Sequence, residues 1–377
     1  MSENALTTPS TRTSAPTDRA EVRQALQAFI DKGFAGMQIR IRDHRGDWTA
    51  SAGVRELGLQ EPPSTDGLFR IGSATKTFVS AVVLQLVDEG LIGLDEPIAG
   101  HLTRFDLDPR ITVRMLLQHT SGVFNFTGEY YPDGTVVEGI PWQGPEWVAE
   151  RFHSYRPEEL VEFALSKPAR FEPGTDWSYA NTNYVLASLL IHQLTGRPYG
   201  EELDRRVMQP LGLTDTRVPG SDPEIHGPHA HGYHRYQDGD EWKVLDVSRQ
   251  DPSWVGAGGE MVSSTKDLAA FISALMSGKL VPDHLLAEMR APYPTAPVPY
   301  GLGLFEQDLG DGRGTVYHHN GSVNGYATLM YATPDGGSTL TGSLTTGDAD
   351  INAAAEFPPL LDDLLKAVFP GEREARG

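Results

Sequence analysis

Three short motifs hold residue types that could do nucleophilic chemistry. The first is Ser73 and Lys76 in "FRIGSATKTF". A hydroxyl and an amine three residues apart share one helix face. There the amine can take the hydroxyl's proton as the oxygen attacks a carbonyl. Gly72 permits close backbone approach, and N–H groups at a helix start favour developing negative charge. The second motif is Tyr179-Ala180-Asn181, in a Pro- and Gly-containing loop before a helical pattern. A phenol can relay protons, and an amide can orient a lysine or a carbonyl. The third is His319-Asn320-Gly321 in "VYHHNGSVNGY", placed by its pattern on a strand. The next residue, Ser322, offers a backbone N–H as half of an oxyanion hole, with the N–H of Ser73 as the other half.

Each motif also has a plainer reading. Ser-x-x-Lys recurs as Ser263 and Lys266 in "SSTK", where Ser264 and Asp267 read as a helix N-cap arrangement. His-x-Gly recurs as His44-Arg45-Gly46, assigned to a hairpin turn. Tyr179 could be a packed tyrosine and Asn181 an N-cap. What separates the first set from these copies is order: a helix start, a loop before a helix, and a strand, in succession along the chain.

The elements that must position them follow from periodicity. Residues 18–32 carry apolar residues at helical spacing, and "GMQIRIRD" alternates as a half-buried strand leading through a turn to a second strand near residues 48–53. Helical patterns recur at 77–89, 112–119, 157–165, 184–194 and 201–208. Residues 125–150 lack periodicity and read as one long loop. After Trp254 come a capped helix in "SSTKDLAAFISALMSG", a series of strands, and a last helix near 354–368. The pattern predicts a mixed sheet built from both chain ends. In domain terms, 19–72 joins 255–369 in an α/β sheet unit, 73–254 is an inserted, mostly helical unit, and 1–18 and 370–377 are tails.

Composition narrows the function classes. The chain has 377 residues, no cysteine, and 51 acidic against 31 basic residues, a formal charge of −20. Thiol nucleophiles and cysteine-held metals are excluded, and the charge disfavours nucleic acid and anionic membranes as partners. The polar first 18 residues lack the apolar core of a secretory signal, so the sequence is expected to be cytoplasmic. The histidines of "HGPHAHGYH" (His226, His229, His231, His234) are irregularly spaced and have no carboxylate motif. No metal and no cofactor are expected.

The ordered motifs, with "LLQHTSGVF", "FEPGTDWSYANTNY" and "SSTKDLAAFISALMSG", resemble the penicillin-recognising serine hydrolases over about residues 20–369. That group holds soluble DD-carboxypeptidases, class C β-lactamases, D-aminopeptidases and esterases, and the chain looks most like secreted DD-carboxypeptidases. The resemblance implies an α/β (α+β), β-lactamase/transpeptidase-like fold: an antiparallel sheet flanked by helices, with a helical insertion. It implies an acyl-enzyme on Ser73, proton transfers shared by Lys76 and Tyr179, Asn181 holding Lys76 and the substrate amide, and His319 tuning the electrostatics. Making Lys76 neutral near pH 7 requires about 4.6 kcal/mol, and ionising Tyr179 about 4 kcal/mol, so energy alone does not name the base.

Two positions depart from the DD-carboxypeptidases. Asn320 stands where they have threonine, and Phe305 follows "GLGL" where they have the arginine that holds a carboxylate; Glu306 comes next. The expected substrate is therefore a small amide or ester with an uncharged leaving side, with an amine acyl acceptor as an option. Alternatives are a D-alanyl-D-alanine carboxypeptidase or β-lactamase, a transacylase, and a catalytically silent sensor. Asn320 and Gly321 are expected to touch substrate, and Phe305, Trp254, Trp177, Tyr130 and Tyr131 to wall it. The oligomeric state is open.

Overall fold

The computed structural model describes residues 19–371; the tail expected at 1–18, and residues 372–377 of the one expected at 370–377, lie outside them. A seven-stranded sheet runs Gly46–Gly53, Gly36–Asp43, Thr339–Thr345, Tyr326–Ala332, Thr315–His318, Phe305–Asp308, with Gly321–Val323 pairing beside the start of Tyr326–Ala332. Every pair in it is antiparallel, which corrects the mixed sheet expected from the pattern. The chain ends meet inside it: Gly36 faces Thr345 and Arg42 faces Thr339.

One face of the sheet carries Met37, Ile39 and Ile41 against Val22, Leu26 and Phe29 of the Ala20–Asp31 helix and Leu364 and Leu365 of the Ala353–Val368 helix. The other face of Gly36–Asp43 is buried as well, so this strand is not half-buried. Its polar residues are paired instead: Gln38 Nε2 donates to Gly67 O at 2.8 Å, and Arg40 reaches Asp47 at 2.6 Å and Asp66 at 2.9 Å. Pairing removes the cost of burying those groups. The Thr265–Met276 helix covers this second face, and Thr341 Oγ1 donates to Thr265 O at 2.7 Å.

Beyond that helix lies the larger core. The Thr75–Asp88 helix is apolar on nearly all sides and is buried along almost its whole length, up to Leu86, as such a helix must be. Its Phe78 stacks on Phe271, and the Asn181–Thr195 helix packs beside it. Pro157–Leu165 forms as expected, and 112–119 shortens to Val113–Leu117, capped by Thr112, which accepts from Met115 N. Residues 201–208 belong to Tyr199–Leu203 and a π-helical turn, Asp204–Met208.

Two regions differ from expectation. Residues 125–150 are not one irregular loop: Glu129–Tyr130 pairs with Val136–Val137, and Gly144–Glu150 is a helix with proline in its first turn. The inserted region also holds a hairpin, Tyr233–Asp238 with Glu241–Asp246, closed by Gly239-Asp240. Its signal was the alternation around a two-residue Gly-containing turn. No helix among the described residues is long and apolar enough to cross a membrane.

Candidate active site

Ser73 sits in a 3₁₀ turn, Gly72–Ala74, that opens the Thr75–Asp88 helix. Two glycines let the Gly321–Val323 strand press on that turn. Gly72 has φ +51°, and a Cβ there would lie 2.6 Å from Ser322 N. A Cβ on Gly321 would lie 2.9 Å from Ser73 N and collide with Ile71 O. The amides of Ser73 and Ser322 are thus brought side by side. Ile71 N–H to Met261 O (2.9 Å) and Thr328 Oγ1 to Arg70 O (3.2 Å) fix the segment from behind.

Lys76 is completely buried. Its Nζ lies 2.7 Å from Asn181 Oδ1, 2.6 Å from Gly258 O and 3.1 Å from Ser73 Oγ. Two of these partners are carbonyl oxygens and can only accept. The third is a hydroxyl and can donate. An ammonium would fill this set with three donated N–H bonds, and a neutral amine fills it as well: two N–H groups to the carbonyls, one lone pair to the Ser73 O–H. No carboxylate is among the partners, and burial drives the Lys76 pKa well below its ordinary value. Asn181 is held for this: its N–H donates to Asn125 Oδ1 at 3.0 Å and its Nδ2 to Thr127 Oγ1 at 3.4 Å.

Tyr179 hydrogen-bonds to Ser73, and its ring lies 4.6 Å from Lys76 Nζ. Burial raises its pKa strongly, and the Ser73 bond offsets part of that. Tyr179 therefore keeps its proton at rest.

His319 is placed in a break between the Thr315–His318 and Gly321–Val323 strands, not on a strand. Its Nδ1–H donates to Asn320 O at 2.8 Å, which leaves Nε2 to accept from Tyr300 Oη at 3.3 Å. Burial lowers its pKa to about 3, so the ring is neutral.

Two site residues escaped the sequence reading. His119, buried and at φ +65°, lies under Tyr179 with ring centroids 4.2 Å apart. Its Nδ1 accepts from Ala180 N at 3.2 Å and lies 3.1 Å from Asn183 Nδ2. Tyr300, also buried, stands 5.0 Å from the His119 ring. The available signals were "LLQHTSGVF", read there only as a connecting segment, and a tyrosine directly before "GLGL".

The site opens into a cleft of about 900 Å³. Ser73, Tyr179, His319, Asn320, Gly321, Ser322 and Phe305 all line it. Its charged lining residues are Arg235 and Asp350, paired with each other at 2.8 Å. Phe305 stacks on His318, which stacks on Tyr331, and Asn320 Nδ2 donates to Tyr331 Oη at 2.6 Å. The other expected walls are elsewhere. Trp254 packs in the larger core, Trp177 lies behind the site against Tyr300, Tyr131 faces the Arg170 guanidinium, and Tyr130 is exposed. Aromatic rings follow the nearest apolar surface, and sequence does not say which surface that is.

The decoys have structural roles. Ser263 Oγ bonds Thr216 Oγ1 at 2.9 Å, Ser264 caps its helix by accepting from Asp267 N, and Lys266 is exposed. His44-Arg45-Gly46 makes the first hairpin turn, with Gly46 at φ +107°. The histidines of "HGPHAHGYH" go to separate partners: His226 to Asp222, His229 to Gly227 O, His231 to Asp246, His234 to Gly144 N. Among the described residues no cluster of three or more His, Cys, Asp or Glu is placed to hold a metal.

Comparison with known proteins identifies the family and the fold. The family model described as Beta-lactamase matches residues 22–356. A crystal structure of a D-stereospecific amidohydrolase from Streptomyces sp. superposes with a TM-score of 0.81 at 36% identity, covering 94% of this chain and 99% of that one. Penicillin-binding protein 4* of Bacillus subtilis (strain 168) is 25% identical over 303 residues, 77% of this chain. Esterase EstB of Burkholderia gladioli is 31% identical over 223 residues, 55% of this chain. The chain spans 63% and 54% of the length of those two relatives. With a family match across almost all described residues and a similar fold shared end to end, the chain belongs to the beta-lactamase family.

Proposed function

We propose that this chain is a serine amidohydrolase that forms an acyl-enzyme on Ser73 from small amides or esters, D-amino-acid amides foremost. The observation that carries the proposal is the Lys76 contact set: two carbonyl acceptors and one hydroxyl around a buried amine with no counter-charge. Burial without a counter-charge lowers the Lys76 pKa while it raises that of Tyr179, and this favours Lys76 over Tyr179 as the base. Lys76 Nζ takes the proton of Ser73 as Oγ bonds to the substrate carbonyl carbon. The carbonyl oxygen becomes an oxyanion between the N–H groups of Ser73 and Ser322. As the C–N or C–O bond breaks, Tyr179 Oη gives its proton to the leaving nitrogen or oxygen and recovers one from the Lys76 ammonium. Water then adds to the acyl carbon by the reverse route, and Ser73 leaves with its proton. His319, neutral and bonded to Tyr300, adds no positive charge that would oppose protonation of Lys76.

The substrate class rests on the cleft wall. Phe305 and Asn320 offer no cation to a terminal carboxylate, and the one arginine lining the cleft, Arg235, is already paired. Similarity to the D-stereospecific amidohydrolase supports the choice of D-amino-acid amides. Intact-mass spectrometry after a fluorophosphonate probe tests the nucleophile: one adduct is expected on the wild type and none on Ser73→Ala, and equal labelling of both would refute it. Product assays on D- and L-amino-acid amides test the substrate class. Release of D-alanine from a free-carboxylate D-Ala-D-Ala peptide at a rate matching the amides would overturn it.

A further inference from the structure

A second cavity, of about 790 Å³, lies behind the turn that holds Lys76, and it shares no lining residue with the catalytic cleft. Its wall includes Tyr155, Tyr199, Met208, Gly256, Ser221 and Glu260. Glu260 is only 4% exposed. Its carboxyl is bonded by the Tyr199 hydroxyl and the Gly220 N–H, with no cation among its partners. Both bonds come from neutral donors, so the ionised carboxyl is buried without a counter-charge, and that is costly. The basic residues of the wall are engaged elsewhere: Arg156 with Glu159 at 2.8 Å, and Arg217 with Glu224 O at 2.9 Å. Asp204 and Glu201 add acidic groups around the same cavity.

We propose that this cavity is a second ligand site that takes a small organic ammonium ion, held by the Glu260 carboxylate and the faces of Tyr199 and Tyr155. Carboxylate plus aromatic faces is the combination that suits an ammonium group with an apolar body. A metal ion is a poor occupant, because Glu260 belongs to no group of three or more ligating side chains. Burial raises the Glu260 pKa to about 7, against the Tyr199 and Gly220 bonds and with help from nearby Asp251, so a cation is the ligand that relieves the most strain on the ionised form.

The site is wired to the catalytic centre by one short turn. Glu260 N–H donates to Gly256 O at 2.9 Å, and two residues before Glu260 the carbonyl of Gly258 accepts from Lys76 at 2.6 Å. Gly258 and Gly259 are packed so closely on Asn181 and Gly72 that a Cβ on either would lie within 3.1–3.3 Å of them. An occupant that shifts Glu260 therefore shifts an acceptor of Lys76. Cleavage of an amino-acid amide releases ammonia and an amino acid that carries an ammonium group, and cleavage of an N-substituted amide releases an organic amine, so the ligand class overlaps the products of the proposed reaction.

Calorimetric titration of benzylammonium chloride into Ser73→Ala, which measures binding without turnover, tests the site. One-to-one binding is expected, at least tenfold weaker when Glu260→Gln is added and absent when Ser221→Trp fills the cavity without touching the carboxyl. Benzyl alcohol should not bind. No binding to Ser73→Ala, or binding of equal strength in both added variants, would overturn the proposal. The link to catalysis is read from the rate of fluorophosphonate labelling of wild-type Ser73. Saturating benzylammonium should change that rate in the wild type and leave it unchanged in Ser221→Trp; an unchanged wild-type rate would remove the coupling.

Discussion

Lys76 is the side chain on which the chemistry turns, and its burial has a consequence for stability. In the folded chain its pKa is depressed, whereas the unfolded side chain titrates near ~10.4. Between those two values the unfolded state binds the extra proton, so this group's contribution to folding stability is unfavourable at low pH and rises as pH rises. The free energy of unfolding of the wild type relative to Lys76→Met should climb as pH rises toward the unfolded value of ~10.4, by up to about 1.4 kcal/mol per pH unit. Urea melts at each pH measure it. A difference that stays flat would mean Lys76 is charged at rest and would remove it as the base. The same variant should lose about a thousandfold or more in kcat/KM. Ser73 and Lys76 were legible because their contact is local. Of its distant partners, Asn181, 105 positions away, came only through the family resemblance, and Gly258, 182 positions away, was not legible at all. His119 was missed for the same reason, since its contacts at Tyr179, Asn183 and Tyr300 exist only after folding.

At the level of elements, the decisive contact is between an edge strand of three residues and a helix start. Gly321–Val323 can approach Gly72–Ala74 only because both facing positions lack a side chain. Gly321→Ala pushes a methyl group into Ile71 O and toward Ser73 N, and the strand must back away, carrying Ser322 N with it. Losing one oxyanion donor costs roughly 100- to 1000-fold in kcat, while overpacking of this kind costs about 1–3 kcal/mol of stability. The expected result is a folded variant whose kcat falls by about 100-fold with KM little changed. A variant with normal kcat would show that Ser322 N–H does not hold the oxyanion. Sequence gave the glycines and their neighbours but not the meeting. The hairpin at 233–246 was overlooked because its strands are mostly exposed and apolar residues such as Tyr233, Trp242 and Val244 are outnumbered in them by charged and polar ones. The first strand looked half-buried because Gln38 and Arg40 are polar, and only their partners show how they tolerate burial.

At the scale of the molecule, the sheet binds the first and last parts of the chain together, with Lys32 and Glu356 of the two terminal helical segments paired at 2.8 Å. That architecture was readable from the placement of strand patterns at both ends, whereas the antiparallel order came from the family resemblance. A second whole-molecule property is charge. A net charge of −20 favours the approach of cations over anions to the molecule as a whole, over a distance set by salt. Near Ser73 the lining histidines and Asn320 are neutral, so nothing local reverses that preference. A matched pair of substrates separates the field from the pocket: D-phenylalanine p-nitroanilide, whose free amine is cationic, and its N-succinyl derivative, which is anionic. Both present the same uncharged leaving group. In about 10 mM salt, kcat/KM should favour the cation by roughly tenfold or more, and the ratio should shrink toward the contact contribution alone in about 0.5 M NaCl, where the screening length falls below ~5 Å. If the anion is preferred at low salt, the cleft holds a cationic subsite and the exclusion of carboxylate substrates is wrong. If the ratio does not move with salt, discrimination comes from contacts in the cleft and the long-range field has no part in it.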